Sequence, residues 1–171
     1  EVAKGIETEL KKAGYTMLLT SSDFDLEEEY RLTRLLVQNK VDGILITPIR
    51  EDSKAMELLK SGSIPFFMMN NKSENPDVNW VDTKNIEGGY IGAKYLADLG
   101  HKRIMYMGTT KIRGAEERLE GFIKAMQEKG VPRDKKLIVE NILSRKEGYT
   151  FMNRFLQKEG KSSLPTAIMT V

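Results

Sequence analysis

Short apolar runs alternate with helical patterns along almost the whole chain, and that alternation restricts the fold more than any other feature. The runs at 15–20, 43–47, 64–69, 103–108, 137–140 and 166–171 have the length of strands rather than helices. Between them, apolar residues recur at three- and four-residue steps: Val2, Ile6, Leu10 and Ala13, then Ile86, Tyr90, Ala93 and Leu96 or Ala97. Helix boundaries are equally legible. Asp25 or Asp23 is placed to cap a helix reaching about Asn39, and Asp52 or Ser53 opens a shorter one to about Lys60. Gly100 sits where a left-handed residue would end a helix, and Gly14 and Gly130 with Pro132 close two others. A final helix is expected over 145–157. Strand–helix alternation with apolar strands predicts an α/β chain, its parallel sheets covered by helices on both faces. The chain is long enough for one domain or two small lobes, and its two halves, 1–82 and 83–171, share this alternation without a sequence repeat; a boundary between lobes is expected near Asp82–Asn85. The chain starts at Glu1 within a helical pattern and ends at Val171 within a strand pattern; both lobes are therefore expected to be incomplete parts of a longer protein.

Composition narrows the function. With 171 residues, 40% apolar and 30% charged, the chain can bury a core. Lys and Arg number 27 against 25 acidic residues, a net charge of +2, and no basic cluster stands free of nearby carboxylates. Duplex DNA contact needs a concentrated basic face, so this chain is not expected to touch DNA itself. The absence of cysteine removes thiol catalysis, disulfides and cysteine metal sites; it fits a reducing compartment, though exported bacterial proteins also lack cysteine. No apolar run has the length of a membrane span, and no signal peptide is seen.

In an open parallel sheet, ligands bind beyond the carboxyl ends of strands. That rule nominates Ser21-Ser22-Asp23, Thr47-Pro48, Asn70-Asn71, the loop 109–114 and Leu143-Ser144, mostly uncharged hydrogen-bonding groups suited to a neutral polyol or heterocycle. Arg118 by spacing alone reads as a solvated helix arginine pairing with Glu116, Glu117 or Glu120. Asn70 fits a turn-initiating asparagine equally well. Gly88-Gly89-Tyr-Ile-Gly92 lacks dinucleotide spacing, and the loop from Gly108 to Gly114 lacks the Gly-Lys-Ser/Thr ending of a phosphate loop; both read as small-residue packing and loop geometry. His101, the only histidine, cannot make a metal site alone and is read as structural, satisfying carbonyls at a helix end. Trp80 and Tyr106 are read as core. Glu27, Glu28 and Glu29 are read as a solvated helix start. No catalytic residue, metal ligand or cofactor is assigned.

Four elements, V-D-G-I-L-I-T-P (41–48), I-P-F-F-M-M-N (64–70), L-G-H-K-R-I (99–104) and R-L-E-G-F (118–122), in this order and spacing, resemble the sensor domain of the lactose- and purine-repressor family of bacterial transcription regulators. The resemblance implies a periplasmic-binding-protein-like fold whose two lobes close on a small effector of the sugar or nucleobase class. It also implies a homodimer, a cytoplasmic location, and DNA binding through a separate headpiece outside this chain. In the family an arginine at the position of Arg118 reaches the effector, and Gly121 would permit close helix packing. Asn70 stands where many members carry an aspartate; it keeps the acceptor, adds donors and loses the charge. Thr47 matches a cleft-facing position. Leu143 stands where two members carry an aromatic ring, and a leucine there provides an apolar wall without stacking. Ile112 and Arg113 lie in a loop that contacts ligand in relatives, Arg113 either doing so or facing water. Two rival readings remain: a periplasmic sugar-binding protein of a transporter, and a nucleotide-dependent α/β enzyme, for which no nucleophile–base pair or complete phosphate loop is present.

Overall fold

The computed structural model describes residues 1–160 and 163–171, and places them in two compact units. The first comprises residues 1–68 and 77–79, the second residues 69–76 and 80–171.

In the first unit, α1 (Val2–Lys12) ends at Gly14, whose φ of +83° explains the glycine. Helix α2 (Leu26–Gln38) is capped by Asp25, whose carboxylate accepts from the amides of Glu27 and Glu28. Strand β1 (Ile44–Ile46), helix α3 (Lys54–Ser61, capped by Ser53) and strand β2 (Phe66–Met69) follow. β1 and β2 pair in parallel, Ile44 opposite Phe66 and Ile46 opposite Met68, and the Met68 amide donates to the Asn79 carbonyl. Ile44, Ile46, Met56, Leu59, Met68 and Val78 form the core.

Two expectations fail in this unit. Residues 15–20 form no strand: Leu18 and Leu19 are exposed, and the segment has no paired strand among the described residues. An apolar run becomes a strand only where a neighbouring backbone takes its hydrogen bonds. Glu29 is not solvated but buried. Its two oxygens accept from the Ile49 amide at 2.7 Å and the Ser53 hydroxyl at 2.9 Å, locking α2 to the turn between β1 and α3. A buried carboxylate is tolerable when donors of this kind surround it.

The second unit contains β3 (Trp80–Val81), α4 (Asn85–Asp98), β4 (Ile104–Met107), α5 (Arg113–Glu128), a 3₁₀ turn (Lys135–Leu137), β5 (Ile138–Val139), α6 (Arg145–Lys158) and β6 (Ala167–Thr170). Its sheet has the order β5-β4-β6, both pairs parallel, so every residue of the central β4 is buried. Alternation along β4 divides the packing between two faces. Ile104 and Tyr106 meet α4 and α5; Met105 and Met107 belong to the cluster with Phe151, Met152 and Phe155 of α6. Ser144 and Glu147 form a capping box that starts α6.

α4 and α5 cross at glycine-sized separation. A Cβ on Gly89 would strike the Arg118 carbonyl oxygen, and one on Gly121 would strike the Ile86 carbonyl oxygen. A Cβ on the adjacent Gly88 would meet nothing within 4 Å. Asp98, at the end of α4, binds Lys129 at 2.5 Å and Lys94 at 2.6 Å, and both ammonium groups hold its carboxyl below the usual carboxylate range. His101 does not use its ring on helix carbonyls. Nδ1 lies 2.9 Å from the Thr166 hydroxyl, tying the start of β4 to that of β6, while the backbone amide of His101 donates to Leu96.

These contacts set opposite signs for two neighbouring substitutions. Gly89→Ala is expected to destabilise by roughly 1–3 kcal/mol, because two backbones must separate. Gly88→Ala is expected to be neutral or to stabilise by up to about 1 kcal/mol, the helix-propensity difference. Urea unfolding of the two variants measures both.

Candidate functional site

The second unit gathers its polar side chains around α5. At the carboxyl end of β4, Gly108 lies so close to the Val171 side chain and the Tyr106 ring that a Cβ would collide with both. Its carbonyl accepts from the Ile142 amide, which draws the segment before Leu143 to the strand end. Tyr106 is fully buried, stacks obliquely on Phe122 at 5.3 Å, and donates its hydroxyl to the Ala115 carbonyl at 2.8 Å. Burial pushes its phenol up to about 12; the nearby Arg118 cation works against that rise and Glu140 adds to it.

Arg118 is therefore near the phenol of the central strand. It is half-buried, and among the described residues its guanidinium has no hydrogen bond or ion pair. The pairing with Glu116, Glu117 or Glu120 that spacing suggested is not formed. Glu117 is engaged elsewhere: Oε1 accepts from Arg113 Nε at 2.9 Å and Oε2 from Asn85 Nδ2 at 3.1 Å. Asn85 is buried, accepts from the Thr83 hydroxyl at 2.8 Å, and lies 3.4 Å from Asp82 Oδ1. Arg113 Nη1 donates to the Lys72 carbonyl at 3.0 Å. The Arg113–Glu117 pair on α5 thus joins two further segments: the residues after β2 through the Lys72 carbonyl, and the start of α4 through Asn85.

The residues nominated from sequence lie on both units, Thr47 on the first and Asn70, Arg113, Arg118 and Leu143 on the second. Arg113 and Glu117, four apart, share one face of α5; Arg118, one residue on, is turned about 100° away. Asn70 is exposed with a φ of +52°, a left-handed conformation that asparagine tolerates better than most residues. It lies two residues before the Lys72 carbonyl that Arg113 holds. Leu143 is 40% exposed, and its amide donates to Glu147 at 2.7 Å. Thr47 belongs to the first unit, exposed directly after β1 and before the buried Pro48.

A groove of about 740 Å³ opens beside this network, lined by Lys72, Trp80, Asn85, Tyr90, Arg113 and Glu117 among others. Trp80 is thus not core: it is 40% exposed and forms part of the groove wall. Sequence reasoning missed Asn85 and Glu117. The signal was present in the polar quartet 82–85 ahead of a helix and in the i,i+4 spacing of Arg113 and Glu117. Among the described residues no group of three or more His, Asp or Glu is placed to hold a metal ion, and no helix is long and apolar enough to cross a membrane.

A family profile described as periplasmic binding proteins and sugar binding domain of LacI family matches residues 1–171. The chain belongs to this family. It is 32% identical over 171 residues to the HTH-type transcriptional repressor PurR of Mannheimia succiniciproducens, covering 98% of this chain and 50% of that protein. With the HTH-type transcriptional regulator DegA of Bacillus subtilis it shares 33% identity over 172 residues, again 98% of this chain and 50% of the relative. Among solved structures, the transcription regulator GntR of Chromobacterium violaceum superposes with a TM-score of 0.84 at 25% identity, over 98% of this chain and 61% of that one. The chain thus spans about half the length of the curated relatives it matches. Family membership agrees with the parallel sheets and with R-L-E-G-F at 118–122.

The burial of Tyr106 gives a pH test. Between about 10 and 12 the unfolded chain has released a proton that the folded chain keeps, so stability should fall as pH rises through that window. Ultraviolet difference titration should show one tyrosine ionising near 12, a step absent from Tyr106→Phe.

Proposed function

We propose that this chain is the effector-sensing part of a DNA-binding transcription repressor of the LacI family. The observation that carries the reading is its similarity, over 98% of its length, to proteins named HTH-type transcriptional repressor and regulator. In this reading, residues 1–82 and 83–171 belong to two lobes, and DNA is bound by a headpiece outside these residues. The protein works as a homodimer in the cytoplasm. It binds an effector of the sugar or nucleobase class and breaks no covalent bond.

Arg118 is the principal effector contact proposed. A half-buried guanidinium with no carboxylate partner has donors left for a ligand, and its planar fork suits a carbonyl, a carboxylate or a pair of hydroxyls. Asn70, Thr47, Leu143 and Arg113 complete the proposed set. Effector binding would favour one conformation over another and thereby shift their populations. A coupling of about 1–3 kcal/mol changes operator affinity by several-fold to about a hundredfold. The family description also covers periplasmic binding proteins; the relatives' names favour the regulator over a transporter component.

Calorimetry of the full-length protein against glucose, ribose, adenine and guanine tests this reading, with Arg118→Ala alongside. One member is expected to bind, and Arg118→Ala is expected to weaken it by at least about tenfold, the scale of a charge-assisted hydrogen bond. Equal binding by the variant would remove Arg118 from the site.

A further inference from the structure

The Glu117 network has an asymmetry that its packing does not explain. Arg113 is the first residue of α5, where the helix dipole disfavours a cation. It is held there by two hydrogen bonds made in opposite directions along the chain. Nε meets Glu117 within the helix, and Nη1 reaches back across 41 residues of sequence to the Lys72 carbonyl. Glu117 is in turn fixed from its other oxygen by the buried Asn85, and Asn85 by Thr83. The guanidinium is thus oriented by a carboxylate that cannot rotate freely.

What it grips is the turn beginning at Asn70. That residue is left-handed, a conformation that costs an asparagine some strain and persists only where surroundings hold it. Further along the same segment the Asn75 amide donates to the Ser73 hydroxyl at 3.1 Å, and Lys72 pairs with Glu74 at 2.9 Å. The Lys72 carbonyl is the point at which α5 takes hold of it.

We propose that Arg113 is a positioning residue: oriented by Glu117, it clamps the Lys72 carbonyl and so fixes the turn that presents Asn70 to the effector. This rests on the effector-sensing reading above, and within the proposed effector set it gives Arg113 its part through Asn70. The clamp is specific to this arrangement of residues, since a lysine at position 113 offers a point charge rather than a fork and cannot hold both acceptors in the same geometry.

Hydrogen exchange and binding on the full-length protein test the two halves of the proposal separately. In Arg113→Ala, amides of residues 70–75 are expected to exchange about tenfold faster, with α6 unchanged, and Arg113→Lys should restore only part of the protection. Unchanged exchange in both variants overturns the clamp. For whichever of glucose, ribose, adenine or guanine the wild type binds, Asn70→Ala and Arg113→Ala should each weaken binding about fivefold or more, and the double variant no further than Asn70→Ala alone. Additive losses overturn the positioning role, because direct contact by Arg113 or general destabilisation would add. A wild type that binds none of the four overturns the effector reading and with it the role of Asn70, while the exchange result still decides the clamp.

Discussion

The backbones of α4 and α5 lie against each other, and the second unit depends on that approach. Gly89 faces the Arg118 carbonyl and Gly121 faces the Ile86 carbonyl, so neither position has room for a side chain. Contacts of this kind place Cα–H groups against carbonyl oxygens, a weak attraction that becomes available only at such separation. The main gain is geometric. With the helices this close, Ala93, Ala97, Leu119, Phe122, Ala125 and Met126 pack with Ile104 and Tyr106 in one core. The same crossing brings Asn85, at the start of α4, within reach of Glu117 on α5.

α5 consequently serves three surroundings at once. Its backbone at Arg118 and Gly121 meets α4, its Ala115 carbonyl takes the Tyr106 hydroxyl from the central strand, and its Arg113 and Glu117 hold the turn after β2. The helical period separates these duties. Residues 113 and 117 share a face, whereas residue 118 falls about 100° away. That rotation separates Arg113, consumed in an internal network, from Arg118, five residues on, which keeps its donors. The acid that simple spacing assigns to Arg118 is taken by Arg113 and Asn85.

The fold was legible in the sequence where a local pattern is self-sufficient. Asp25 and Ser53, each one of two candidates, cap their helices because a short polar side chain meets free amides whatever lies beyond. Gly14, Gly100 and Gly130 terminate helices with positive φ for an equally local reason. The run at 15–20 shows the limit. Its composition suits a strand, but pairing is a property of a neighbour, and no local pattern reports whether one is there. Glu29 shows the same limit from the polar side: it looks like a carboxylate favouring a helix start, and only the fold brings Ile49 and Ser53 to it. Of the site, Arg118 and Asn70 were nominated from the family pattern and the strand-end rule. The bond between Asn85 and Glu117 was not, because the two lie on separate helices and meet through the glycine crossing, although the i,i+4 spacing of Arg113 and Glu117 is local.

The family resemblance and the chain's own chemistry therefore answer different questions. R-L-E-G-F supplies Gly121 for packing and an arginine whose cation acts on the Tyr106 phenol. By the resemblance, Asn70 stands where many members carry an aspartate, and Leu143 where two carry an aromatic ring. Asparagine offers a ligand both donors and an acceptor but no charge, and leucine offers area without a ring face. In the proposed site, both residues would favour a neutral partner recognised by hydrogen bonds rather than by ion pairing or stacking. In such a lining, orientation of each donor matters more than total charge, because a neutral hydrogen bond weakens steeply when misdirected. A rigid grip on the Asn70 turn then matters most when asparagine replaces aspartate, and a network ending on the Lys72 carbonyl supplies that grip.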